Sequence, residues 1–531
     1  KHAVSALYSV ERSESEYEKV RYYKDDVLSF TNGQSNTATG TADGETTRTE
    51  SGMMSYIGRF NYSFADKYLF EFLIRSDAST KFAPEHYWGT FPSFSAGWVV
   101  SEEQFFNVNW MDFLKIRASL GFLGKDNTKA WLWRQRYTYQ NNKGAVFGTS
   151  TSQNMGWGLK MEAAPNPDAT WDDDTKYNVG VDMKFLKNRL SATMDAFLDK
   201  NKNLLVQRDA LVPVTIGGNL AAENFDAIDA YGIELSLGWR DKIGNDLNYF
   251  VKFNTGWSDA RYRKKDWPQI FDYNDVYPDG PVDMGTWGYD CLGMFRSQSD
   301  IDNYVQEYGI TNVFNTAVAE LKPGMLYYRD VRGTMNTDGS YQGPDGIIDD
   351  KDMIRLSKKT SNPYGFTLNF GGDWKGFNLS ALIGASWGGF SEVSSAIRYV
   401  NTNRADYMNV PAFWSDMFSA GMTDTNGNEV IGVANEDGRY PNMFWNTFND
   451  KTSTFWQISS FRMALRNMTL GYSLPSQMVK SIGIDGCRFS VTGTNLLSFY
   501  NPLPGKFMDI NSNYGAFPNL RIISLGLNLS F

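Results

Sequence analysis

Two stretches of this 531-residue chain combine side chains that could bind a polyhydroxylated or peptidic molecule. Between Ala260 and Asp290, the aromatics Trp267, Phe271, Tyr273, Tyr277, Trp287 and Tyr289 alternate with Asp266, Asp272, Asp275, Asp279, Asp283 and Asp290. Flat rings that stack on sugar faces, next to carboxylates that accept from hydroxyls, suit a glycan; the same amphipathic rings suit a protein interface or simple loop packing. Between Gly388 and Gln457, Trp414, Trp445 and Trp456 suggest a second interface element, and the Asp424-to-Asn428 turn within it reads as a hairpin tip.

Enzymatic chemistry finds little support. No GxSxG elbow, HExxH, Walker loop or paired-cysteine zinc spacing is present. The two histidines, His2 and His86, are too few for a histidine-based centre, and the two cysteines, Cys291 and Cys487, form no motif. Carboxylates are abundant, but nothing in the sequence positions a glycosidase pair around a cleft. A net charge of -9 argues against a nucleic-acid surface. Binding and transport are the expectation, and the chain is not expected to be an enzyme.

The elements that would position these loops are strands. In Asn519 to Phe531, Ile523, Leu525, Leu527, Leu529 and Phe531 are apolar, and Ser524, Gly526, Asn528 and Ser530 lie between them. The pattern recurs in Tyr177–Phe185, Tyr231–Trp239 and Phe377–Trp387 on odd positions, and in Tyr68–Ile74 and Leu114–Phe122 on even ones. Alternation over segments of about ten residues, one face apolar and one polar, is the signature of a transmembrane β-barrel. Only a closed sheet pairs every backbone N–H and C=O inside hydrocarbon. No apolar run reaches about 18 residues, so helical spans are excluded. Tyr177, Trp239, Trp257, Trp374 and Trp387 near strand ends fit interfacial girdles.

Connections alternate between short and long. Ala65-Asp66, Lys187-Asn188, Asp241 to Asp246 and Lys375-Gly376 are turns, while residues 101–112 and 475–486 are medium connections with room for a helical turn. The long ones are 22–51, 79–89, 125–170, 207–228, 260–362, 388–457 and 501–518. Barrels of this class have short periplasmic turns and long extracellular loops. The expectation is an all-β, antiparallel barrel wall of about fourteen strands, with the C-terminus periplasmic. A start at Lys1, without Met or signal peptide, implies an N-terminal portion elsewhere.

These segments resemble the barrel of SusC/RagA-type TonB-dependent transporters of Bacteroidetes. The resemblance rests on SYIGRFNYSFADKYLFEFLIRSDASTKF from Ser55, GTFPSFSAGWVVSEEQFF and LKIRASLGFLG up to Gly124. It extends through NPDATW at Asn166 to Trp171, NVGVDMKFLKNRLSATMDAF, YGIELSL, GMFRSQSDID, PGMLYYRDV at Pro323 to Val331, and TGTNLLSFYNP before Phe531. The blocks fall in order across nearly the whole chain. The resemblance implies the C-terminal part of a barrel of about 22 strands, with about eight strands, the plug and the TonB box outside this chain.

What the resemblance implies for function is energised import of a bulky nutrient, glycan or oligopeptide, across the outer membrane. A SusD-like surface lipoprotein would act as a lid, TonB would pull on the plug, and the remaining barrel and plug segments and outer-membrane lipids would be the other partners. Lumen-facing Arg75, Lys115, Arg117, Glu234 and Arg240 would hydrate the path and meet the plug. Trp267, Tyr273, Tyr277, Trp287, Tyr289, Trp414 and Trp445 are the candidate substrate or lid contacts. Asp330-Val331 and Asp345 to Asp352 resemble the two ends of a DVNGDGxIDxxD turn, which makes Asp330, Asp345, Asp349 and Asp352 candidate calcium ligands. An insertion carrying Asn336 to Gly339 splits that turn, and Asn, Asp and Gly are also ordinary turn formers. Alternatives are a siderophore- or cobalamin-type TonB-dependent receptor, and a passive porin or adhesin.

Overall fold

The computed structural model describes residues 2–24, 42–128, 130–140, 143–149, 152–207, 222–265, 280–338, 340–398, 411–421, 434–481, 483–506, 508–509 and 519–531. Fourteen strands form one antiparallel sheet in sequential order. They are β1 (His2–Lys24), β2 (Ala42–Phe64), β3 (Tyr68–Ser79), β4 (Trp88–Val99), β5 (Met111–Leu123), β6 (Asp173–Phe185) and β7 (Leu190–Val206). They continue as β8 (Glu223–Ile243), β9 (Leu247–Lys264), β10 (Tyr364–Trp374), β11 (Phe377–Trp387), β12 (Arg462–Ser473), β13 (Gly486–Ser498) and β14 (Ile522–Ser530). Among the described residues no helix is long and apolar enough to cross a membrane.

The backbone of the short turns is left-handed, with Asp66, Asn188 and Gly376 the residues that accept it most readily. Ala65 and Asp66 have φ of 54° and 58°, Lys187 and Asn188 both 62°, and Lys375 and Gly376 47° and 89°. Such positive-φ pairs match the twist of flanking antiparallel strands. The medium connections carry the expected helical turns, a 3-10 turn at Val100–Glu102 and a short helix at Ser476–Lys480.

Contacts divide the chain into two compact units. The first comprises Lys1–Met183, Met194–Gly232 and Ala260–Val282; the second comprises Lys184–Thr193, Ile233–Asp259 and Asp283–Phe531. In the first unit, register aligns His2, Phe64, Tyr68, Trp98 and Ile116 in one row across β1 to β5. Ala6, Phe60, Phe72, Phe94 and Leu120 form another row on that face, two rows along. The opposite face carries the row Ser5, Asn61, Glu71, Ser95 and Ser119.

The second unit repeats the division. Leu247, Trp374, Phe377, Tyr472, Phe489 and Leu527 make an apolar row, while Asp373, Asn378, Gly471, Ser490 and Gly526 make a polar one. One element departs from simple alternation. Strand β12 places Tyr472, Leu470 and Met468 on the apolar rows, then Leu465 and Met463 after a register shift at Arg466. That β-bulge switches the parity of the apolar positions and keeps the face continuous.

Three expected boundaries move. The 22–51 connection is partly ribbon, because β1 runs to Lys24 and pairs with β2 from Ala42. A 23-residue strand spans roughly 75 Å, well past a hydrocarbon slab of about 30 Å, so this hairpin projects beyond it. Strand β9 likewise continues to Lys264, which leaves Trp257 inside the strand rather than at its end. Strand β8 begins at Glu223, ahead of the expected end of the 207–228 loop. Cys291 and Cys487 are both free.

The facing assignment has a direct test on β14, where Leu525 is 83% exposed in the isolated chain. Leu525→Arg is expected to cost about 2–4 kcal/mol in reversible unfolding from lipid vesicles, whereas Ser524→Arg is much milder. Equal losses at the two positions would contradict the facing.

Candidate functional site

The polar face of the first unit is lined with paired charges. Arg59 donates to Glu71 at 2.9 Å, and Arg117 bridges Asp182 at 3.1 Å and Asp195 at 2.6 Å. Arg75 holds Asp77 through both carboxylate oxygens at 2.8 Å and Ser55 Oγ at 3.0 Å. Pairs of this kind, across strands or two residues apart on one strand as for Arg75 and Asp77, need the alternation that puts both partners on one face. Of these residues Glu71 and Arg117 border a cavity of about 560 Å³, which Asn61, Ser95, Lys115 and Asn178 also line. Lys115 and Arg117 therefore lie together, as expected. In the second unit Glu234 and Arg240 are exposed positions of β8 on the face opposite Ile233, Leu235 and Trp239.

Above the first unit's strands, the NPDATW block acts as a clamp. Asn166 donates to the carbonyl of Ala222 at 2.9 Å, and Asn224 reciprocates on Thr170 with a 3.0 Å bond accepted and a 2.9 Å bond donated. Trp171 donates to the Tyr87 carbonyl at 3.1 Å and packs with Phe82 and Ala169 in a small core. Burial there pushes the Asp172 carboxyl up to about 6, against the opposing pull of the Leu205 amide and Lys125.

In the second unit the described residues of 283–362 and 388–457 build a body with its own core, beyond what isolated loops would do. Tyr289, Phe295, Tyr304, Leu326, Tyr328, Ile348, Ile397, Met443, Phe448 and Trp456 belong to a single cluster. Helix α1 (Gln298–Tyr308) is started by a capping box between Ser297 and Asp300 and stopped by Gly309 at φ 65°. Irregular backbone inside such a body must be paired by side chains. Asn449, fully buried, accepts from the Leu326 amide at 2.9 Å and donates to the Gly324 and Asn442 carbonyls at 3.1 and 2.6 Å. Arg398, also buried, donates to the Val393 and Asp450 carbonyls and pairs with Glu392 at 2.6 Å.

The candidate aromatic contacts divide accordingly. Trp267, Tyr273 and Tyr277 lie outside the described residues. Tyr289 is in the core, its hydroxyl donated to Asp350 at 3.0 Å, so it offers no exposed platform. The carboxylate that holds it comes from a distant part of the chain, while the neighbouring Asp290 pairs with Arg329. Trp414 donates to the Ile397 carbonyl at 3.0 Å and packs on the same core, as does Trp445 under the Lys322 ammonium. Trp287 sits half-buried on a two-stranded ribbon opposite Arg355.

The carboxylates of the Asp330–Asp352 turn are held by backbone amides. Asp330 accepts from Gly346 at 2.6 Å, Asp345 from Ile347 at 3.0 Å, and Asp349 from Lys351 at 2.8 Å. Buried Asp352 accepts from Val331, Arg332 and Asp349 at 2.8, 3.2 and 2.8 Å, while burial raises its carboxyl above the usual range. Among the described residues no three such groups converge as a metal site would require. Asp330 and Asp352 thus tie the two ends of the turn together across the insertion, while Asp345 and Asp349 cap turns of their own.

Sequence reasoning placed Asp283 among the acids but missed its role. Its carboxylate accepts from the Gly285 amide at 3.0 Å, the Thr360 amide at 3.0 Å and hydroxyl at 2.9 Å, and the Ser361 amide at 2.8 Å and hydroxyl at 2.5 Å. It thereby joins the start of the 283–361 excursion to its end.

No family model matches the chain. TonB-dependent receptor P3 of Formosa agariphila is 23% identical over 510 residues, covering 91% of this chain and 46% of its own. TonB-dependent receptor SusC of Bacteroides thetaiotaomicron is 30% identical over 214 residues, 40% of this chain and 21% of its own. The solved structure of the RagAB peptide transporter matches 100% of this chain and 54% of its own, with a TM-score of 0.71 and 19% identity. The chain thus spans about half the length of the curated receptors it matches end to end, and its fold is that of outer-membrane β-barrel transporters.

The Asp283 clasp gives a pH-dependent expectation. Burial would raise this carboxyl, but the bonds from Ser361, Thr360 and Gly285 outweigh it and hold it well below the usual range. A depressed folded-state value stabilises above the unfolded value near 4 and is lost as pH falls further. Hydrogen exchange at Thr360 and Ser361 should accelerate, relative to intrinsic rates, below about pH 4. Asp283→Ala should reproduce that opening at neutral pH with a loss of about 2 kcal/mol; unchanged protection would contradict the clasp.

Proposed function

We propose that this chain, similar to TonB-dependent receptors including SusC and sharing the fold of a RagAB transporter, is part of a SusC/RagA-type TonB-dependent transporter and forms the C-terminal fourteen strands of the wall of a nutrient importer. Its long connections face outward and its C-terminus faces the periplasm. The remaining strands, the plug and the TonB box belong to the rest of the polypeptide. Import is driven by TonB acting on that plug.

The observation that carries this reading is the fold match of the whole chain to a solved transporter, together with sequence similarity to TonB-dependent receptors along all of this chain and about half of theirs. Two further features support it. The polar face carries paired charges around a sizeable cavity, which suits a hydrated path and does not suit a packed soluble core. The loop body of the second unit is too large and too well packed for a simple strand connection, and it suits docking of a SusD-like lipoprotein lid.

The cargo is a bulky nutrient, glycan or oligopeptide. The structural relative is a peptide transporter, which supports the peptide side of that pair. The aromatic contacts that remain for cargo or lid are Trp287, Trp414 and Trp445, together with Trp267, Tyr273 and Tyr277.

Cells carrying the full-length transporter with its neighbouring lipoprotein should accumulate a fluorescent oligopeptide or oligosaccharide, and should stop when the protonmotive force is collapsed or TonB is deleted. Uptake that persists without energy would point to a passive porin. Iron-regulated expression with no co-purifying lipoprotein would point to a siderophore-type receptor.

A further inference from the structure

On the side of the short turns, most connections are only as long as reversal demands: residues 65–67, 186–189, 244–246 and 375–376. Residues 100–110, between β4 and β5, are much longer and carry the motif VSEEQFFNVNW. The segment opens with a 3-10 turn whose first residue, Val100, is buried. Its exposed side chains are unusual for a water-facing loop, with Phe105 69% and Trp110 60% accessible.

Glu103 explains how the segment is tied to the sheet. Its carboxylate accepts from the Tyr68 hydroxyl at 2.6 Å, the Trp98 indole N–H at 3.1 Å and the Lys67 ammonium at 3.3 Å. Tyr68 and Trp98 are register partners within the apolar row that runs from His2 to Ile116. One carboxylate therefore holds the polar tips of two lipid-facing rings in a common plane. Phe105 continues that row off the sheet, meeting Trp98 edge-on at 6.3 Å between ring centroids.

We propose that residues 100–110 form an in-plane membrane anchor, with Phe105 and Trp110 seated at the acyl–headgroup boundary of the adjacent leaflet. The occupant of this surface is phospholipid, because the patch is continuous with the lipid-facing row, whose adjoining rings Tyr68 and Trp98 have their polar tips tied to one carboxylate. Amphipathic rings with one apolar body and one hydrogen-bonded tip belong at that depth. The neighbouring Lys67 ammonium, next to Glu103, suits the phosphate level just above it. The inference rests on the barrel reading and adds to it a site outside the strands.

The test uses the full-length transporter with Cys291→Ser and Cys487→Ser, reconstituted in phosphatidylethanolamine–phosphatidylglycerol vesicles. Nitroxides are placed by Phe105→Cys, Trp110→Cys, Asn107→Cys and Leu525→Cys, and collisions with oxygen and with a nickel chelate are compared. Labels at 105 and 110 should favour oxygen severalfold more than the label at 107. If 105 and 110 behave like 107 while 525 favours oxygen, the barrel stands and the anchor falls. A label at 105 or 110 shielded from both reagents would mean a protein neighbour, which also overturns the proposal. Should Phe105→Cys fail to fold, the label at 110 decides alone.

Discussion

A backbone amide or carbonyl left unpaired in hydrocarbon costs several kcal/mol, and nearly every feature of this chain follows from avoiding that cost. Ladder pairing in sequential order satisfies the spanning segments without any long-range rearrangement. Once the ladder exists, the pleat assigns each residue to one face or the other. The rows through Phe60 and Phe94, or through Phe377 and Phe489, are apolar because that face has no water, and Arg117 with Asp182 and Asp195 lies opposite because that face does. The bulge at Arg466 shows the strength of the rule, since an extra residue is accommodated by switching parity while the apolar rows stay intact.

Outside the hydrocarbon the same accounting is met by side chains. The loop body has little ladder, so Asn449, Arg398 and Asp283 supply the bonds that strands would otherwise exchange. These residues pair backbone groups from distant parts of the chain, with Asn449 reaching Gly324 and Leu326, and Asp283 reaching Thr360 and Ser361. Such polar staples inside an aromatic core give a rigid display surface, which is what recognition by loops requires. The clamp at Asn166, Trp171 and Asn224 does the same work in the first unit on a smaller scale.

The strands were legible because one physical period, two residues, governs both the pleat and the change of solvent. The positive-φ turns at Ala65-Asp66 and Lys375-Gly376 were legible from the residues between alternating segments. The outer reach of β1 and β2 was not, because beyond the membrane both faces are wet. There, Glu18 opposes Arg48, and Arg48 also meets Glu16 and Glu50, with no apolar face to mark a strand. The β12 strand hid its register because the bulge breaks the period midway. The candidate contacts were legible only as residue types. Tyr289 is a core ring bonded to Asp350, and Asp330 and Asp352 tie the two ends of their turn together, because ring-plus-carboxylate and clustered-aspartate patterns serve packing and backbone pairing as readily as binding. Sequence spacing carries no signal that separates these uses.

The division between a greasy face and a wet one is the proposition on which the rest depends. Single cysteines placed in turn from Ile522 to Ser530, in a chain otherwise free of cysteine, can be exposed to a membrane-impermeant maleimide in native outer membranes. Labelling should recur at Ser524, Gly526, Asn528 and Ser530 and fail at Ile523, Leu525, Leu527 and Leu529. Uniform labelling along the strand, or labelling with the opposite parity, would contradict the account.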